Sequence, residues 1–159
     1  MDGRLAVLKK ILDCVAVPAN VNSLAGRKEI QKAIYLAQAA GLKLGYSFGW
    51  YVRGPYSTSL ARDYYAMAAA VRLGEQATAD LRDDVRERLA PVRELVTGAA
   101  PADVARPEWL ELLASVHFLR TVRNLSPDAS REVLEREKPN LAQHEDAAVA
   151  ALQQAALLQ

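Results

Sequence analysis

The feature that most constrains the fold is a single change in the spacing of the large apolar residues. Through most of the 159 residues they recur every three or four positions, as on one face of an α-helix. In the segment GYSFGWYV, residues 45–52, they fall instead on every second residue. This alternation of aromatic residues is typical of a half-buried β-strand. We therefore expect a mainly α-helical protein that contains one short β-strand or β-hairpin.

Helical patterns flank this strand on both sides. Stripes of apolar residues predict a first helix from about Leu5, a second over residues 26–41 and a third over residues 58–74. Gly54 and Pro55 are interpreted as the turn that ends the strand, and Ser57 as the cap of the third helix. Two helices followed by a strand are the beginning of a winged helix. The remaining places for a second wing strand are residues 73–79 and the stretch before residue 26.

The second half of the chain carries only helical patterns. A stripe over residues 79–97 contains Pro91, which predicts a kink or a break. Pro107 suits the first turn of the next helix, and Ser126 is followed by a proline and an acid, a strong helix start. Asn140 is interpreted as the cap of the last helix. These C-terminal helices are expected to follow a winged-helix-like N-terminal core.

Charged and aromatic residues divide the chain into two regions. Residues 1–79 contain ten Lys or Arg and five Asp or Glu, whereas residues 80–159 contain ten and fourteen. Eight of the ten aromatic residues lie between residues 35 and 65. We expect a basic, aromatic-rich region over residues 1–78 and an acidic helical region over residues 79–159, packed together as one compact domain. A basic region of this kind suggests an anionic partner.

Several classes of protein are not expected. No apolar run reaches the ~20 residues of a membrane-spanning helix, and charged residues interrupt the first apolar stretch too early for a signal peptide. The single cysteine, Cys14, cannot form an internal disulfide, which favours a reducing cytoplasm. His117 and His144 lie too far from other ligands to suggest zinc. Because nucleophile, phosphate-loop and dinucleotide motifs are absent, we expect no enzyme, metal or cofactor.

A block of about forty residues, a quarter of the chain, indicates a protein family more specifically than the order of helices and strands does. A basic helix with the pattern R-x-x-I-Q-K-x-x-Y-L is followed by a glycine, an aromatic strand and the motif G-P-Y-S-x-x-L-x-x-D. The matching residues are Arg27, Ile30, Gln31, Lys32, Tyr35, Leu36, Gly41, Tyr46, Phe48, Tyr51, Gly54, Pro55, Tyr56, Ser57, Leu60 and Asp63.

This block resembles the YwgA-like family of small prokaryotic proteins and, more distantly, the Panacea domain associated with antitoxins. The resemblance implies a mostly helical protein with a winged-helix-like core. It also implies mobile-element, defence or toxin–antitoxin biology, without established catalysis.

Our first functional interpretation is a non-enzymatic nucleic-acid-binding protein, with duplex DNA as the first expected partner. Lysines four residues apart on the second helix are expected to contact phosphates, and tyrosines on the outer side of the strand to stack on bases. The turn before the third helix adds an anion site at a helix N-terminus. The predicted nucleic-acid-binding residues are Arg27, Lys28, Gln31, Lys32, Tyr51, Arg53, Tyr56 and Arg62.

Other interpretations remain open for the same residues. Gln31 is also suited to a buried polar contact with the GPYS turn, and Tyr46, Phe48 and Trp50 to core packing. Asp63 is suited to an ion pair with the preceding helix. The alternative function is a protein–protein interaction module that neutralises a partner protein, with the C-terminal helices as the contact. A homodimer through those helices is a further expectation.

Overall fold

The computed structural model of the protein describes all residues, 1–159. Eight α-helices and one two-stranded antiparallel sheet account for its regular structure. In chain order the elements are α1 (Gly3–Cys14), α2 (Leu24–Ala39), β1 (Gly49–Tyr51), β2 (Gly54–Tyr56), α3 (Thr58–Arg72), α4 (Asp83–Thr97), α5 (Arg106–His117), α6 (Pro127–Glu137), α7 (Pro139–Ala142) and α8 (Glu145–Gln154). The prediction of a mainly α-helical protein with one β-hairpin followed by C-terminal helices is confirmed.

Helix α2 lies at the centre of the molecule. Ten consecutive or nearly consecutive residues of α2, from Gly26 to Ala37, are buried, so this helix is covered on nearly every side. It packs most extensively against α5, and also against α1, α4 and β2. One hydrophobic cluster of 33 buried residues draws members from both halves of the chain. The apolar side chains of α2 enter this cluster, and its buried Glu29, Gln31 and Lys32 bond to polar groups of other elements.

The cap residues in the sequence mark the helix starts well. Ser57 Oγ accepts a hydrogen bond from the Leu60 N–H at 3.2 Å, and Ser126 Oγ accepts one from the Ala129 N–H at 3.1 Å. Gly41 follows the end of α2 with φ +106°, a left-handed conformation that suits glycine. These predicted boundaries are confirmed.

The second strand lies in the segment that we interpreted as a turn. Strand β2 pairs with β1 so that Gly49 faces Tyr56, Trp50 faces Pro55 and Tyr51 faces Gly54. The places suggested for it, residues 73–79 and before residue 26, were wrong. Proline is tolerated in this two-stranded ribbon because each strand has a free edge.

The shortness of the hairpin places the last residue of the alternating pattern, Val52, away from the inner face. Only Gly49–Tyr51 is regular strand before the chain reverses at Val52 and Arg53. Val52 is therefore 85% exposed at the tip instead of continuing the inner face. Tyr46, Phe48 and Trp50 do pack against the core, as the alternation predicted.

Three details of the second half differ from the sequence pattern. Helix α4 continues through Pro91 as one helix of fifteen residues. Asn140 does not cap the last helix: it lies inside the short helix α7, and α8 begins at Glu145. A π-helical turn, Phe118–Val122, extends α5 where no pattern indicated one. No helix combines the length and the apolar character needed to cross a membrane.

Candidate functional site

Seven of the eight residues proposed from the sequence line one groove. The groove has a volume of about 310 Å³ and lies between the N-terminal part of α2, the tip of the hairpin and one face of α3. Its lining residues are Leu24, Arg27, Lys28, Gln31, Lys32, Tyr51, Val52, Arg53, Tyr56, Tyr64 and Tyr65. We call it the basic–aromatic groove. Only Arg62, an exposed residue of α3, lies outside it.

The floor of the groove is formed by two residues that were predicted to be accessible. Gln31 is buried and exchanges two hydrogen bonds with the backbone of Ser57, one from its Nε2 to the carbonyl and one from the Ser57 N–H to its Oε1, both at 2.9 Å. Lys32 is 1% exposed, and its Nζ donates to the Pro55 carbonyl at 2.6 Å. Both side chains thus hold the hairpin and the start of α3 against α2.

The predicted outer stripe of basic residues on α2 is therefore wrong in part. Lys32 and Gln31 face the hairpin rather than solvent, and Lys28 is engaged by two acids of α5. The alternative interpretation of Gln31, a buried contact with the GPYS turn, is the one that the structure bears out. The sequence pattern did not distinguish two environments for a basic residue on α2. Such a residue is suited both to solvent and to a buried contact with a polar group of another element.

A buried charge network lies directly behind the groove. Glu111 on α5 accepts from Lys28 at 2.7 Å through one oxygen and from Lys138 at 2.7 Å through the other. Lys138 also donates to the carbonyl of Val52 at 3.0 Å, so the hairpin tip is tied to the end of α6. Burial alone would raise the pKa of Glu111, but the hydrogen bonds from Lys138 and Lys28 outweigh it and hold that pKa below its usual value.

Lys32 has an unusual electrostatic environment. Burial lowers its pKa to about 7, with Glu111 opposing the shift and the positive charges of Lys138, Lys28 and Arg53 adding to it. A fraction of the Lys32 side chains is therefore uncharged near neutral pH. Such a shift arises when a cation is removed from water without a carboxylate of its own.

The walls of the groove carry exposed apolar and aromatic surface. Tyr51 is 52% exposed, and its ring packs edge-on against Tyr56 with the centroids 5.3 Å apart. Tyr65 is half exposed and contacts the ring of Tyr64 in the same way at 4.9 Å. Arg53 is exposed at the hairpin turn, whereas Arg27 donates to the Val21 carbonyl at 2.9 Å. The groove thus combines two pairs of tyrosine rings with two arginines.

Asp63 and the histidines do not belong to this site. Asp63 pairs with Arg4 of α1 at 3.2 Å and accepts from the Tyr46 hydroxyl at 2.7 Å, so the expected partner on the second helix was wrong. The Tyr35 hydroxyl and Nδ1 of His117 share a buried hydrogen bond of 2.7 Å. His144 contacts Asp103 at 3.3 Å. No group of three or more His, Cys, Asp and Glu side chains is placed to hold a metal ion.

Two residues behind the groove had no signal in the sequence analysis. Glu111 and Lys138 come from the acidic half, 79 and 106 residues after Lys32. Glu111 lies in an ordinary helical pattern, and Lys138 lies where α6 ends. Their role follows only from the packing of α5 and the end of α6 against α2 and the hairpin. Comparison with known proteins adds no further residue, because no protein-family model, no curated protein and no solved structure matches the chain.

Proposed function

We propose that the protein binds nucleic acid in the basic–aromatic groove without catalysing a reaction. The observation that carries this proposal is the convergence of cations and tyrosines from α2, the hairpin and α3 in one groove. Arginine and lysine side chains attract phosphates, and exposed tyrosine rings offer stacking surfaces for bases.

The groove favours an unpaired strand over duplex DNA. Reading a duplex with α2 would require this helix to enter a groove of the DNA, whereas α2 is covered on most of its surface. Gln31 and Lys32 lie behind the hairpin and are out of reach of base edges. The volume of about 310 Å³ is at the lower end of the range for small-ligand sites, which suits one nucleotide better than a duplex.

Two exposed arginines provide a matched test. Arg53 lines the groove and Arg62 does not, and both lie in the same basic region. Titrating a fluorescent single-stranded oligonucleotide in an anisotropy assay, we expect Arg53→Glu to weaken binding about tenfold or more. Arg62→Glu should weaken binding less than about threefold at 0.15 M salt, because Arg62 does not line the groove and salt weakens the effect of exposed charges that make no direct contact.

The outcomes of this titration distinguish binding in the groove from nonspecific attraction by the overall charge of the protein. Binding by the wild type should weaken steeply as salt is raised, because phosphate contacts release counterions. Equal losses in Arg53→Glu and Arg62→Glu would assign binding to the overall charge rather than to the groove. No binding at micromolar protein would overturn the proposal.

A second candidate function, an interface for a partner protein, is supported by a separate observation. Half of the eight exposed large apolar side chains of the molecule line the groove: Leu24, Tyr51, Val52 and Tyr65. Of the other four, only Val122 belongs to the acidic half, so the groove is a better candidate contact surface than the C-terminal helices. Solvent-exposed apolar side chains that adjoin one another are typical of protein-binding surfaces.

Val52 tests this alternative because it is the most exposed of these side chains. A partner protein retained by the wild type and lost with Val52→Glu, together with no affinity for oligonucleotides, would replace nucleic acid as the partner. Retention of the same protein by both variants would exclude the groove as its contact surface.

A further inference from the structure

The charged groups around Lys32, in and behind the basic–aromatic groove, are more often positive than negative. Lys28, Lys32, Lys138 and Arg53 act on one another there, and Glu111 is the one buried acid among them. A second acid, Glu108, contacts Lys28 at 3.5 Å from a partly exposed position. With every group in its usual charge state, the cluster has four positive and two negative charges. Two positive charges are then left without a counter-charge.

Lys32 is the buried lysine of this cluster that has no carboxylate partner. An ammonium group has three N–H donors, and Nζ of Lys32 has one acceptor, the Pro55 carbonyl. Lys28 and Lys138 each have a carboxylate oxygen of Glu111 within 2.7 Å, but Lys32 has none. Burial and the surrounding cations lower the pKa of Lys32 to about 7. A fraction of the Lys32 side chains is therefore uncharged near pH 7, which lowers the excess positive charge of the cluster.

The groups around Lys32 come from every element that packs on it. Glu111 faces it from α5, Lys138 from the end of α6, Lys28 from the same helix and Arg53 from the hairpin turn. Tyr56 and Tyr64 line the groove beside it. Burial raises the pKa of Tyr64 to about 12, so its phenol stays protonated. None of these groups other than Glu111 supplies a negative charge near neutral pH.

The charge needed to neutralise the cluster matches one kind of phosphate. An internal phosphodiester of a nucleic acid carries one negative charge, whereas a terminal phosphomonoester carries between about 1.5 and 2 at pH 7. The excess of positive charge is therefore better matched by the second group than by the first. A phosphomonoester also occurs at a strand end, and a groove of about 310 Å³ has room for one terminal nucleotide.

We propose that the groove binds the phosphorylated end of an unpaired nucleic-acid strand, with Arg53 contacting the terminal phosphate and the buried Lys32 and Lys28 adding positive charge beneath it. This inference rests on the proposed function and narrows it to one end group. Binding of the phosphate brings a counter-ion to Lys32, which then takes up a proton. The terminal base stacks on Tyr51 or Tyr65 at the opening.

The test compares one oligonucleotide sequence in three forms, with a 5′-phosphate, with a 3′-phosphate and with neither. At pH 7 we expect at least one phosphorylated form to bind the wild type fivefold or more tightly than the unphosphorylated form. This advantage should decrease as the pH rises from 7 to 9. Lys32 is increasingly uncharged over this range, so its protonation on binding costs more free energy. Lys32→Met should abolish the advantage, and Lys43→Met, a change at an exposed lysine outside the groove, should retain it.

Each outcome has a definite meaning for the two proposals. Equal binding of all three forms with the Arg53 dependence intact would overturn the end-group inference and leave the proposed function standing. An advantage that persists in Lys32→Met, or that does not change with pH in the wild type, would also overturn it. The pH series on the wild type keeps the test decisive if Lys32→Met does not fold.

A free nucleotide tests whether the phosphate group binds without the rest of the strand. Thymidine 5′-monophosphate should compete with the phosphorylated oligonucleotide for the wild type, whereas thymidine should not. Binding of the monophosphate without affinity for any oligonucleotide would support the phosphate site and overturn nucleic acid as the partner. Failure of every phosphorylated compound to bind would overturn both proposals.

Discussion

Lys32 occupies a position that lysine seldom occupies in folded proteins. Fully buried lysines are rare unless they are paired, and Lys32 is 1% exposed with a carbonyl as its hydrogen-bond acceptor. The sequence identified Lys32 as a functional candidate because it lies one helical turn after Lys28. It did not show that one of these lysines is paired by Glu111 while the other is left without a carboxylate, because Glu111 is 79 residues away from Lys32.

This environment makes stability depend on pH. The ordinary pKa of a lysine is 10.5, and the folded protein lowers that of Lys32 to about 7. Between these values the unfolded chain binds more protons than the folded one, so the stability of the wild type rises with pH through that window. The penalty of burying Lys32 is full below about pH 7 and disappears as the pH approaches 10.5.

Replacing Lys32 with methionine removes this dependence. In urea unfolding between pH 7 and pH 10, we expect the stability of the wild type relative to Lys32→Met to rise by up to about 1 kcal/mol per pH unit. Lys43→Met, at an exposed position, should leave the pH profile of the wild type unchanged. Parallel profiles for the wild type and Lys32→Met would show that the buried amine does not titrate in this range.

At the scale of elements, the hairpin depends on one close approach to α5. Gly54 has φ +85°, and a Cβ at this position would lie 2.5 Å from Oγ of Ser115. Ser115 is fully buried, and its hydroxyl has no hydrogen-bond partner. Strand β2 therefore requires glycine for two separate reasons, its left-handed conformation and the lack of space.

Gly45 separates these two reasons because it has almost the same φ, +84°, and a Cβ added there would meet no atom within 4 Å. We expect Gly45→Ala to destabilise the fold by about 1 kcal/mol, the cost of a left-handed alanine. Gly54→Ala should cost about 1–3 kcal/mol more, because the added methyl group also overlaps Ser115. Thermal unfolding of the two variants would measure the difference.

Ser115→Ala provides the control for the steric part. It removes the atom that the new methyl group would meet, and it also removes a buried hydroxyl without a partner. Adding Ser115→Ala to Gly54→Ala should recover most of the excess over Gly45→Ala. If the double variant is as unstable as Gly54→Ala, the contact with α5 is not the cause.

For the whole molecule, the basic and acidic regions are joined by charges that cross between them. Lys28 of the basic region pairs with Glu111 of the acidic region at 2.7 Å, and Arg106 of the acidic region pairs with Glu29 of the basic region at 2.9 Å. Part of the charge division seen in the sequence is therefore used inside the protein. On the groove side, the basic region presents Arg53 at an exposed position, where it is available to a partner.

Glu111 is expected to be the most important of these charges for stability. Glu111→Gln leaves Lys28 and Lys138 without their buried carboxylate, which should cost about 3–5 kcal/mol in urea unfolding at pH 7. Glu108→Gln, at a side chain 44% exposed, should cost less than about 1 kcal/mol. Similar losses in the two variants would show that burial of the pair does not matter.

Glu111 also makes the stability of the folded protein depend on pH in the acidic range. Because the folded pKa of Glu111 lies below its usual value, its contribution to stability is present above that usual value. The contribution is lost as the pH falls through the folded pKa. Glu111→Gln should therefore lose less stability than the wild type does on acidification.

The sequence by itself determined the helical class, most helix starts and the presence of one strand, because spacing and cap residues act over a few neighbouring positions. Seven of the eight binding residues that it predicted line the basic–aromatic groove. Only the tertiary structure decided that β2 uses the GPY segment, and that Gln31 and Lys32 face the hairpin instead of solvent. These outcomes depend on α5 and Lys138 packing against residues far away in the chain, and no local pattern encodes which polar group a buried side chain will meet.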